Sequence, residues 1–385
     1  MVLKLFTMKT IDIKPDYFKD FKCSCDKCVN TCCVYWDVTL DKITYSKYMN
    51  MHSEFSDYIK ENISDKRIIL KKGYCPFLGT DCLCKIQKKY GEEFLSDICR
   101  TYPRNKKNLL FLQYNDLLIS CPEVIKMLRK HKLFNFEETY IKSKFKEEKN
   151  DKYENELYFL LRDTAKYVYN LKISFKKQMY LMLKFANDSH ELLSQIPITN
   201  KSVETFKKTY TEEYFKTLLK TFKPNKNINI VEDFQFDCLS ELEGHRHTDK
   251  KIIGILDNYL NINFDNLNYK KVLKQVIKLS NKAIKLKNLF FYLILYSLTD
   301  VFNKDNFLEI IKFVIHFIAY LSEINLASYL SKPIPLFENN FYKITSEMFR
   351  IFYHATLYDD YIKMFKTSEK FSYQKVLDYV LASQF

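Results

Sequence analysis

The sequence predicts a mainly α protein in two parts: a cysteine-rich metal-binding domain over residues 1–135, then an all-helical domain over residues 136–385. Three observations carry this expectation. Ten of the eleven cysteines fall between Phe21 and Glu123, and only Cys238 lies outside. From Val124 onward, apolar residues return at three- and four-residue steps, the period of a helix with one buried side. The five glycines are scattered, and no strand–helix–strand alternation is visible.

Taken in order, residues 1–20 read as a short lead-in that breaks at Pro15-Asp16. Phe21 to Leu40 is too dense in cysteine for a regular helix face and reads as loop with a short turn. Asp41 to Ile63 reads as one helix with Ile43, Tyr45, Tyr48, Met49, Phe55, Tyr58 and Ile59 on its apolar side. In Cys75 to Arg104, Gly79 and Asp81 mark a turn, Lys85 to Tyr90 a helix, Gly91 a break and Pro103 a stop. Leu109 to Ser120 reads as a β-hairpin turning at Asn115-Asp116. Pro122 suits the first turn of a helix that follows Cys121. Further helices are expected over Asn155–Asn170, Phe175–Leu193, Ser202–Phe222, Asp249–Leu260, Tyr269–Leu298, Phe307–Tyr329, Phe341–Tyr361 and Tyr373–Ala382.

A chain of 385 residues can bury a core without disulfides. The N-terminus carries no export signal, so a cytoplasmic location is expected, where clustered cysteines mean metal or redox chemistry. Leu289 to Leu298 is too short to span a membrane, and Phe307 to Ile324 is interrupted by Glu309, Lys312 and His316. No membrane partner is expected. The net charge of +14 is spread out, with 20 basic and 16 acidic residues in 1–125 and 41 and 31 in the remainder. That distribution fits solvated helix faces rather than a nucleic-acid stripe.

Cysteines two to four residues apart can close on one metal from a single loop, and distant ones complete the shell. Cys23, Cys28, Cys32 and Cys33 come from one loop; Cys75, Cys84, Cys99 and Cys121 come from a second region. The only histidine near them is His52, between the two segments. Sulfur ligands without imidazole favour an iron–sulfur cluster or an all-thiolate zinc. Buried free thiols are the plain alternative. A radical S-adenosylmethionine triple would need a third cysteine at position 35, which is tyrosine.

The ordered set Phe21, Cys23, Cys28, Cys32, Cys33 and Trp36, followed by CPFL from Cys75, LCKI around Cys84, YGEEFLSDICRTYPR from Tyr90 and SCPE from Ser120, resembles the flagellin lysine-N-methylase family. A reduced form of the same core resembles a broader group of zinc- or iron-chelating cysteine domains. The resemblance covers residues 21–125; the helical remainder matches in general character, and Cys25 and Cys82 fall outside the shared pattern. It implies S-adenosylmethionine-dependent methylation of surface lysines on flagellin. It also implies an iron–sulfur cluster, of the 4Fe-4S type or with zinc as the alternative, on the eight matched cysteines. Eight thiols exceed the four that one cluster needs.

Methyl transfer to lysine requires a neutral amine, although the reference pKa is about 10.4. A proton acceptor and aromatic faces for the two cations are therefore expected. Trp36, Tyr90 and Tyr102 are the aromatic candidates, with Asp37, Glu92 and Glu123 as acceptors; Trp36, Tyr102 and Glu123 are carried forward as catalytic. Each has a structural alternative: Trp36 as a cover for the metal, Tyr102-Pro103 as a packing turn, Glu123 as a charge at a helix N-terminus. The usual methyltransferase glycine-rich loop is missing, so the cofactor pocket is expected where the two domains meet. The rival readings are a metal carrier without catalysis and an RNA-binding protein with structural zinc.

Overall fold

The chain is mainly α, as expected, but it starts and closes its first third with a sheet. The computed structural model describes residues 6–385 except 35–37, 110, 146–150, 196, 245–267, 303–305, 332–336 and 355–356. Strand β1 (Phe6–Pro15) occupies the stretch read as a lead-in. Its signal is present in the sequence, with Thr7, Thr10, Ile11 and Ile13 set among Lys and Asp. The helix expected over Asp41 to Ile63 is two, α1 (Lys42–Met49) and α2 (Glu54–Glu61). The break falls where Ser53 takes an extended backbone and caps α2 by exchanging hydrogen bonds with Ser56. A two-stranded ribbon follows, β2 (Ile63–Ser64) and β3 (Arg67–Ile68). Two short helices carry the second cysteine segment, α3 (Lys85–Tyr90) and α4 (Asp97–Thr101). Gly91 separates them with φ +90°, a conformation that strains any residue with a Cβ.

The hairpin exists but is shifted. Strands β4 (Arg104–Leu109) and β5 (Leu112–Leu117) pair Leu109 with Leu112, so Asn115 and Asp116 lie inside β5. Their polar groups are satisfied within the sheet rather than by a turn. Asn115 Nδ2 donates to Asp12 Oδ1 at 2.6 Å. Asp116 accepts from Tyr17 at 2.8 Å, Tyr114 at 2.7 Å and the Leu117 amide at 2.7 Å. Helix α5 (Pro122–Lys130) starts at Pro122 as expected. Strand β6 (Phe136–Phe145) interrupts the helical run and pairs antiparallel with the whole of β1. The sheet order is β4-β5-β1-β6, with β1 and β5 parallel.

The rest is helical: α6 (Asp151–Asn170), α7 (Phe175–Asp188), α8 (His190–Leu193), α9 (Asn200–Thr209), α10 (Glu212–Thr221), α11 (Asn229–Gly244), α12 (Tyr269–Ala283) and α13 (Leu286–Ser297). Then come α14 (Phe307–Ser331), α15 (Phe337–Phe349), a π-helical turn (Arg350–His354), α16 (Leu357–Thr367) and α17 (Tyr373–Ala382). The helix expected over Asp249 to Leu260 lies outside the described residues. Helix α14 is buried on nearly all sides, with Glu309, Lys312 and His316 inside. The eleventh cysteine, Cys238, lies 3.1 Å from His316 Nδ1 in this core. Burial lowers His316 to about 3, so the imidazole stays neutral. Among the described residues, no helix is long and apolar enough to cross a membrane.

One large core joins sheet and helices, from Ile13 and Tyr17 through Leu117 to Phe291 and Val380. A second, small core (Val38, Leu40, Tyr48, Ile68, Phe77, Ile86) lies under the cysteine segments. Asp116 is the polar centre of the large core's sheet end, and Tyr292 of α13 reaches the Leu117 carbonyl beside it at 2.8 Å. Burial raises the Asp116 carboxyl from 3.8 to about 6, against the hydrogen bonds that hold it down. A carboxyl raised by folding contributes stability below its unfolded value and loses it as pH climbs through about 6. Asp116→Asn should therefore gain about 3 kcal/mol relative to the unsubstituted protein between acid and neutral pH. Urea unfolding of both proteins across that range checks this, and a difference that does not change with pH would contradict it.

Candidate functional site

The two cysteine segments are laced together by backbone hydrogen bonds. The Cys75 amide donates to the Cys33 carbonyl at 2.9 Å, and Val34 bridges Tyr74. A 3₁₀ turn at Cys25–Lys27 folds the first loop, as expected for a short turn in a dense thiol segment. The Cys28 thiol donates to the Asn30 carbonyl at 2.8 Å, and Thr31 accepts from the Cys33 amide at 3.1 Å. In the second segment, the Gly79 amide donates to the Leu83 carbonyl at 2.7 Å. A methyl group on Gly79 would displace the Asp81 carboxylate and come within 3.1 Å of that carbonyl.

These loops bring the thiols to two neighbouring cavities. The larger is a cleft of about 530 Å³. Cys23, Cys28, Cys32, Cys33, Cys84, Cys99 and Cys121 line it. The smaller, about 90 Å³, is lined by Cys75 together with Cys32, Cys33, Cys84 and Cys99, which form the shared wall. All eight matched cysteines thus meet at one place. Cys25 and Cys82 also face the cleft, both with left-handed backbone (φ 51° and 61°), a conformation that costs a non-glycine residue.

Crowding sets the electrostatics. Burial pushes the Cys121 thiol up to about 12 and the Cys99 thiol up to about 11, and negative charge on Cys32 adds to both. Cys33 reaches about 12: the hydrogen bond from Cys32 favours its thiolate, but a bond with Cys75 and burial outweigh it. Cys32 is open to the cleft, yet its bond with Cys33 and the protein packed around it raise it well above the usual thiol range, with Arg350 pulling it down. Burial likewise raises Cys84 and Cys23. Helix starts work the other way. Cys84 caps α3 and Cys121 caps α5, and the first amides of those helices favour their thiolates. Positive charge brought beside Cys23, Cys32, Cys33, Cys84, Cys99 and Cys121 would favour their thiolates.

The donor set contains sulfur and no imidazole. Among the described residues, no three His, Cys, Asp or Glu side chains converge closely enough to hold a single metal ion.

Helix α15 and the π-helical turn after it also reach the cleft. Lys343 and Arg350 line it, and Asn30 of the first cysteine loop donates to Ser346 on the same helix at 3.0 Å. Arg350 Nη2 donates to the Ser120 carbonyl at 3.0 Å, one residue before Cys121. The expected meeting of cysteine-rich and helical parts is present here. Sequence reasoning did not find Lys343, Arg350 or Asn30. Arg350 had one signal, being one of seven arginines beside 54 lysines and set in the apolar run MFRIFY.

The other expected residues separate. Tyr102 lines both cavities and donates to Ser120 Oγ at 3.1 Å. Burial raises its phenol, so it stays protonated. Glu92 lines the cleft. Glu123 pairs with Lys126 at 2.7 Å in the first turn of α5 and is not among the lining residues. Tyr90 is 3.1 Å from Ser53 Oγ and packs on Phe94, away from the cleft. Arg100 pairs with Asp97, and Arg104 lies over the Phe21 ring at 5.3 Å. Trp36 and Asp37 lie outside the described residues.

Fold and site define a mainly helical protein in which a cysteine module closes a thiol-lined cleft against a helical body. The chain belongs to the flagellin lysine-N-methylase family. It is 34% identical over 132 residues to the flagellar biosynthetic protein FliU of Salmonella muenchen, covering 76% of that protein and 30% of this chain. It is also 34% identical over 132 residues to proteins named lysine-N-methylase from Salmonella choleraesuis and Salmonella typhimurium, spanning 32% of the length of each. No family model matches the chain. No solved structure matches it.

Asn30 ties the first thiol loop to α15 through a buried hydrogen bond. Asn30→Ala should cost about 1 kcal/mol of stability and should make Cys28 and Cys32 more reactive. Timed alkylation read by mass spectrometry checks this; unchanged rates at both cysteines would count against the tether.

Proposed function

We propose that this protein transfers a methyl group from S-adenosylmethionine to the ε-amine of lysine on a flagellar protein, with an iron–sulfur cluster on the matched thiols. The observation that carries the reading is the meeting of both cysteine segments at one cleft that Lys343 and Arg350 of the helical part also line. The names of the relatives supply the reaction.

The ligands for the cluster would come from Cys23, Cys28, Cys32, Cys33, Cys75, Cys84, Cys99 and Cys121. A lone zinc needs four sulfurs about 2.3 Å from one centre, whereas a cluster spreads its thiolates around several atoms. A sulfur-only donor set with more than four thiols suits the cluster. When bound, S-adenosylmethionine supplies a methyl on a sulfonium. Its S–CH₃ bond breaks as the N–CH₃ bond forms, and the electron pair stays on the thioether. Among the described residues, Glu92 is the carboxylate that lines the cleft, and it is the acceptor for the lysine proton. Tyr102, held protonated by burial, offers a ring face and a hydroxyl donor but no base at neutral pH. The cysteine wall and the α15 wall restrict water around the amine, which favours its neutral form.

The test mixes anaerobically purified protein, flagellin and methyl-labelled S-adenosylmethionine. Label is expected on flagellin lysines, and Glu92→Gln should lower the rate at neutral pH with partial recovery at alkaline pH. No label with fresh cofactor and intact cluster rejects the reading in favour of a metal carrier.

A further inference from the structure

Arg350 carries a charge that the fold leaves half satisfied. Its side chain is 5% exposed and lines the cleft. Nη2 is held by the Ser120 carbonyl at 3.0 Å. Nη1 is buried and has no hydrogen-bond partner. A lysine in this position could lose its proton, but a guanidinium cannot, so the cost of burial stays until an anion arrives. Arg350 also opens the π-helical turn at the end of α15, and such turns shift side chains out of the helical register. Lys343, two turns earlier on α15, lines the same cleft. The cleft's other guanidinium groups are engaged, Arg100 with Asp97 and Arg104 over Phe21.

We propose that Arg350, with Lys343 beside it, is the carboxylate receptor of the cleft and takes the amino-acid end of S-adenosylmethionine; this rests on the methyl-transfer reading. Guanidinium geometry matches a carboxylate. The carboxylate is the one anionic group of this ligand, so it is the group that compensates the buried Arg350 charge. The donor would then lie between the modules, its carboxylate on the helical wall. No glycine-rich loop is required: a buried arginine on a helix end replaces it.

Isothermal titration on the anaerobically purified full chain tests this with S-adenosylmethionine, S-adenosylhomocysteine and 5′-methylthioadenosine, the last lacking the carboxylate. Arg350→Gln should weaken the first two by roughly 10- to 100-fold, the range of one charge-assisted hydrogen bond, and leave the third unchanged. Arg350→Lys should fall between, and Lys343→Gln should show a smaller loss in the same pattern. Circular dichroism and visible absorbance confirm that the variants are folded and loaded. Equal weakening of all three ligands makes Arg350 a structural residue and overturns the proposal. Unchanged S-adenosylmethionine affinity in Arg350→Gln, beside intact methyl transfer, overturns the receptor role alone. No binding of S-adenosylmethionine to the unsubstituted protein removes the methyl-transfer reading and the receptor with it.

Discussion

Cys32 stands where the thiols meet, and the crowding of thiols around it is the constraint that shapes the cleft. Cys23, Cys84, Cys99 and Cys121 each feel its charge, and Cys33 is bonded to it. In water these thiols would ionise independently; packed together in a partly dry cleft they resist doing so. Cationic Arg350 on one side and the helix starts after Cys84 and Cys121 on the other relieve only part of this. On the proposed reading, a positively charged metal group would relieve the rest. The arrangement is costly as an apolar core and sensible as a ligand shell.

The helical body has a structural reason to be large. The small core under the cysteine loops is one side of the site, and it has few apolar residues of its own. The other side is α15, which packs on α5 directly after Cys121. The Asn30–Ser346 and Arg350–Ser120 bonds fix the distance between the two walls. The sheet is tied to the helical body as well, since Lys107 of β4 pairs with Asp300, in the turn after α13, at 2.7 Å. Cysteine loops, sheet and helices are therefore one mechanical unit.

Much of this was legible in the sequence because the signals were local. Thiol spacing located the site, Gly79 and Gly91 located its turns, and Pro122 located the start of α5. The failures have physical causes. Strand β6 (FEETYIKSKF) is charged and lies at the sheet edge, so its alternation is not apolar against polar. Asn115-Asp116 imitates a turn because its polar groups are satisfied by Asp12 and Tyr17, about a hundred residues away in sequence. Glu123 resembled an acceptor by proximity to Cys121, but helix geometry turns it toward Lys126. Arg350 reaches Ser120 across 230 positions, a separation that no local pattern encodes.

The central claim is that the thiols exist to hold iron and sulfide at the junction of the two modules. Iron, zinc and acid-labile sulfide should be measured on protein purified without oxygen, with the visible spectrum, for the unsubstituted chain and for Cys121→Ser and Cys82→Ser. The account predicts iron and sulfide in equal amounts with broad visible absorbance, lost in Cys121→Ser and kept in Cys82→Ser. Colourless protein that carries zinc, or carries no metal at all, would contradict it.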